Sequence, residues 1–82
     1  MTVGTYIKQR RISMGLTQKQ LSDKLGYSTP QFVSMMERDE AMVPWAVIVK
    51  LKKYIRADGE FLENSVLDNK INQFKKRKSV RN

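Results

Sequence analysis

The side chains with the most chemistry to offer lie together between Thr17 and Arg38, in the run TQKQLSDKLGYSTPQFVSMMER. Read as a helix, the second half of this run sets Phe32 or Val33 with Met36 on an inward face. Thr29, Gln31, Ser34, Met35 and Arg38 are then left to point largely away from the core. A short helix that presents hydroxyls, a carboxamide, a thioether and a guanidinium can touch base edges and phosphates of a nucleic acid. The Gln31 amide matches the N6 and N7 edge of adenine, Thr29 and Ser34 offer hydroxyl contacts, and Met35 suits a thymine methyl.

Two helices are needed to hold that face. Thr17 is placed to cap the first, and Gln20 three residues on completes a capping box. Leu21 and Leu25 share its buried face, and Gly26 can take the left-handed conformation that ends it. Ser28 or Thr29 can cap the second helix, with Pro30 at its first position, where a missing amide hydrogen costs nothing.

Composition narrows the alternatives. The chain has 82 residues, 40% of them hydrophobic, enough for one small domain and one core. It contains neither cysteine nor histidine, which removes thiolate and imidazole ligands, thiol nucleophiles and Ser-His-Asp triads, so no cofactor, no metal and no enzyme are expected. Asp39 and Glu40 are adjacent carboxylates with no acid–base partner and read as surface charges. No apolar run approaches the ~20 residues of a membrane span and nothing resembles a signal peptide, so a cytoplasmic location and no membrane partner are expected. A net charge of +8 favours a polyanionic partner, with nucleic acid ahead of mere solubility.

The ordered set of Arg11, the Gly-Leu-Thr-Gln run at Gly15 to Gln18, the Leu21/Leu25/Gly26 spacing and Glu37-Arg38 resembles the phage-repressor (Cro and cI type, or xenobiotic-response-element) helix-turn-helix family. The resemblance runs from about Tyr6 to Ile55. It implies an all-α fold with a compact four-helix repressor-like domain, to which the residue pattern beyond Asp58 adds a C-terminal fifth helix. It also implies that Arg11 pairs with Glu37, bracing helix one against helix three. The function it implies is a sequence-preferring regulator of transcription that binds double-stranded DNA as a homodimer. Gln18, Lys19, Arg10 and Arg38 would hold phosphates, and the helix near 29–38 would enter the major groove. The alternative is a protein-interaction module, an antitoxin or anti-activator built on the same fold, with another regulatory protein as partner. Two departures from the family pattern stand out. The turn at Tyr27-Ser28-Thr29-Pro30 is one residue longer than in the shortest members, and Asp39 replaces a usual glycine. Two carboxylates at Asp39 and Glu40 oppose DNA binding unless they point away.

The flanking segments supply support. Val3, Tyr6, Ile7 and Ile12 fit an amphipathic first helix capped by Thr2 or Thr5 and stopped by Gly15. Pro44 begins a fourth helix with Ile48, Leu51 and Ile55 on one stripe, Lys50, Lys52 and Lys53 in water, and Trp45 as a core or interface anchor. From Asp58 a helix through Lys78 would be ~30 Å long at about 1.5 Å per residue. Its band of Leu62, Val66, Leu67, Ile71 and Phe74 either covers the same domain or pairs with a second copy. The expected units are therefore a DNA-binding domain at 1–57, an amphipathic helix at 58–78 and a basic tail at 79–82.

Overall fold

Helix α1 (Val3–Ser13) opens on Thr2, whose hydroxyl accepts from the Thr5 amide at 3.1 Å, in a computed structural model that describes residues 1–64. Helix α2 (Gln18–Leu25) starts from a complete capping box, with Thr17 accepting from the Gln20 amide and the Gln20 side chain accepting from the Thr17 amide. Helix α3 (Gln31–Glu37) follows, then α4 (Trp45–Tyr54) and a fifth helical segment, α5, over 59–64, capped by the Asp58 carboxylate.

All four complete helices end at a residue with positive φ: Gly15 (72°), Gly26 (90°), Asp39 (59°) and Arg56 (52°). At the end of α3 the Glu40 amide donates to the Met35 carbonyl and the Asp39 amide to the Met36 carbonyl, the paired bonds that close a helix over a left-handed residue. Aspartate tolerates that conformation better than most side chains, which is how Asp39 stands where a glycine is usual.

The core joins Ile7 from α1, Leu21 and Leu25 from α2, Val33 and Met36 from α3, and Val47, Ile48 and Leu51 from α4. Ile55, Ala57 and Leu62 close its lower side. Several expectations change. Pro30 is the residue before α3 rather than its first, and neither Ser28 nor Thr29 caps it through a side chain, because the longer turn delays the helix to Gln31. Pro44 likewise precedes α4. Ile12 is 58% exposed, since the buried positions of α1 are Gly4, Ile7 and Arg11. Trp45, 43% exposed, is not a core residue, because it sits on the outer side of the first turn of α4. Leu62 is fully buried in the domain's own core, and neighbouring Phe61 packs on Tyr6 with ring centroids 4.9 Å apart, so Leu62 is not a surface for a second copy. Val66, Leu67, Ile71 and Phe74, with the rest of the expected helix and the basic tail, lie outside the described residues.

Charge fixes where the first three helices meet. Arg11 Nε donates to Glu37 Oε2 at 2.6 Å and Nη2 to Oε1 at 3.1 Å, with the side chains only 10% and 3% exposed. Arg11 Nη1 also donates to the Leu16 carbonyl, and Gln18 Nε2 to Glu37 Oε1 at 3.0 Å. The Glu37 carboxylate thus ties α1, α2 and α3 together, and Arg11 adds the loop after α1. The N-terminal turn of α1 reaches the end of α3 at a second point, where the Gly4 amide donates to Asp39 Oδ1 at 2.8 Å. A Cβ on Gly4 would lie 2.5 Å from the carbonyl oxygens of both Met36 and Glu37, so the two backbones approach as only glycine allows.

Gly4→Ala should therefore lower the unfolding free energy by about 1–3 kcal/mol, read from urea midpoints, through overpacking against backbone that cannot yield. Glu37→Gln keeps the shape but leaves Arg11 buried beside a neutral group, and should cost about 3 kcal/mol or more. An unchanged thermal midpoint for Glu37→Gln would show that the pair does not hold the helices.

Candidate nucleic-acid interface

Helix α3 is seven residues long and divides its side chains sharply. Val33 and Met36 are buried, and Phe32 is half-buried against the Tyr27 ring, 4.8 Å between centroids. This stacking seats the longer turn on the helix that follows it. On the other side Thr29 and Gln31 are exposed, Ser34 and Met35 are half-buried, and Arg38 stands in solvent. Gln31, Ser34, Met35 and Arg38 thus fall at three- and four-residue spacing on the side of the helix away from Val33 and Met36, with Thr29 exposed in the turn before it. Ser34 Oγ accepts from Arg38 Nη1 at 2.7 Å, so its hydroxyl hydrogen is the part left to offer.

The expected phosphate contacts do not share one fate. Lys19 Nζ donates to Asp23 Oδ1 and to the Ser28 carbonyl, both at 2.9 Å, so the lysine pins the turn to α2 while remaining exposed. Gln18 gives one amide hydrogen to Glu37 and keeps the second. Arg10 departs from its expected role: its Nε is held by the Ile55 carbonyl at 3.0 Å, and the partly buried contact assigns it to the end of α4. That carbonyl precedes the left-handed Arg56, so Arg10 stabilises a helix end that no glycine marks.

The two acids after α3 behave differently from each other. Asp39 turns its carboxylate back onto the first turn of α1, where unpaired amides and the positive end of the helix favour an anion. Glu40 Oε2 instead accepts from Arg38 Nε at 3.0 Å and Nη2 at 2.8 Å, on side chains 53% and 58% exposed.

A basic cluster escaped the reading of the sequence. Lys24 and Lys53 each place an ammonium about 5.5 Å from the Tyr54 ring centroid, at 5.4 and 5.5 Å, and Lys50 Nζ donates to the Leu25 carbonyl at the end of α2. The four-residue spacing of Lys50 and Tyr54 on α4 was the available signal, but which helix they face depends on packing.

Among the described residues, no group of three acidic side chains could hold a metal ion, and no helix is long and apolar enough to cross a membrane. No curated protein and no solved structure matches the chain. A helix-turn-helix family model does, over residues 7–60, a span that takes in every helix from the body of α1 to the start of α5. With a capped α2, a glycine turn, a polar-faced α3 and the Arg11–Glu37 brace all inside that span, the chain belongs to the phage-repressor-like (Cro/cI-type) helix-turn-helix family of DNA-binding regulators.

Proposed function

We propose that the protein binds double-stranded DNA with sequence preference and regulates transcription, laying α3 in the major groove. The observation that carries this reading is the outward face of α3, where Gln31 is exposed, with Thr29 exposed in the turn before the helix and Arg38 at its end, while the other side is locked into the core. Gln31 is the first choice for base readout, through the adenine N6 and N7 edge. Ser34, with its oxygen already accepting from Arg38, acts as a donor and so favours base acceptors such as guanine N7 or thymine O4. Thr29 adds a hydroxyl and Met35 an apolar contact. Arg38, Lys19 and the second Gln18 hydrogen hold phosphates. No catalytic step is part of this function, and the cytoplasm is its place.

The chain acts as a homodimer on two half-sites about one helical turn apart, the arrangement that gives a short recognition helix enough contacts to be selective. The chain divides into units at 1–57, 58–78 and 79–82, the second lending Leu62 to the core of the first. A second reading, docking onto another regulatory protein, draws on Met42 before α4 and Val49 on it, 49% and 65% exposed.

Gln31→Ala should cost about 1–3 kcal/mol on the preferred duplex and little on random DNA, whereas Arg38→Ala should weaken both. Equal losses for both variants on both duplexes would contradict this division between base and phosphate. Sedimentation at micromolar concentration should give about twice the 9.6 kDa chain mass, and a monomer would remove the dimer. A duplex affinity indifferent to salt would move the balance to the protein-docking reading.

A further inference from the structure

We propose that Glu40 competes with a backbone phosphate for the Arg38 guanidinium and so limits DNA affinity, while Asp39 beside it does not. The proposal rests on the reading above that Arg38 grips phosphate. Three of the five N–H groups of Arg38 are already engaged, two by Glu40 Oε2 and one by Ser34 Oγ. A phosphate taking the remaining edge would share one planar cation with a carboxylate, and the two anions repel across it. The Arg38–Glu40 pair is open to water on both sides, so neither its formation nor its exchange carries a large desolvation cost. Arg38 thus arrives at DNA with its own counter-anion attached, and its phosphate contact releases less salt than an unpaired arginine would.

Asp39 carries the same formal charge one residue earlier, but its carboxylate is bound to the Gly4 amide at the positive end of α1. Its backbone sits in the left-handed conformation that closes α3, a position asparagine also tolerates. Asp39→Asn therefore removes one negative charge while keeping both the turn and an oxygen that can accept from Gly4, and it is the matched control for Glu40→Gln.

The test compares the wild-type protein, Glu40→Gln, Asp39→Asn, Arg38→Ala and the Arg38→Ala/Glu40→Gln double variant, each titrated with a random-sequence duplex and a selected duplex over a range of salt. Glu40→Gln should bind both duplexes roughly 2- to 5-fold tighter. Its salt dependence should steepen by up to about 0.9 in the logarithmic slope. That gain should vanish in the Arg38→Ala background, and Asp39→Asn should show less than half of it. An equal gain with and without Arg38 would overturn the proposal in favour of bulk charge, and weaker binding by Glu40→Gln would overturn it in favour of Glu40 orienting the arginine. If wild type binds neither duplex at low salt, the DNA-binding reading fails and this proposal with it; if wild type binds and Glu40→Gln is unchanged, only the proposal fails.

Discussion

A carboxylate shut away from water must have its partners in place, and in this protein that requirement sets how the first three helices meet. Glu37 is buried at the end of α3, and it is tolerable there only because Arg11 presents a two-pronged guanidinium and Gln18 a carboxamide to the same two oxygens. Hydrophobic packing of Ile7, Leu21, Val33 and Met36 draws the helices together but is not directional. The ion pair is, since a small rotation of α3 would strand a charge. The outward face of α3 is fixed by what its inward end must satisfy.

The same end of α3 is tied a second time by backbone chemistry. Asp39 closes the helix in the left-handed conformation and lends its carboxylate to the N-terminal turn of α1, while Gly4 lets the two backbones come together. These contacts lie within a few residues of Arg38 and Glu40, so a rigid anchor stands next to an exposed, exchangeable ion pair. An acid that stands where a glycine is usual thereby supports the fold, while the carboxylate of its neighbour stays at the surface on Arg38.

Net charge is unevenly spread. Residues 1–57 carry ten basic against four acidic side chains, residues 58–74 one against four, and residues 75–82 five basic side chains with no acid, so positive charge gathers at the two ends of the chain around an acidic stretch.

Much of the architecture could be read before any coordinates. Thr17 with Gln20, and Gly15 and Gly26, announce helix boundaries because capping and positive φ depend on the residue itself and its near neighbours. Spacing alone marked Ile48, Leu51 and Ile55 as buried, and the family pattern paired Arg11 with Glu37, 26 residues apart. Long-range partners with no such pattern were illegible: Arg10 on the Ile55 carbonyl, Asp39 on Gly4, Lys50 on the Leu25 carbonyl and Leu62 inside the core. The left-handed ends at Asp39 and Arg56 were hidden for the same reason, since a side chain that is not glycine takes that conformation only where tertiary contacts compensate. Local chemistry, then, determined the helices, the capped start of α2 and the polar character of α3. Which charged groups are engaged and which are left to meet a partner was decided by three-dimensional packing alone, because a flexible side chain's partner is chosen by whatever the fold brings within its reach.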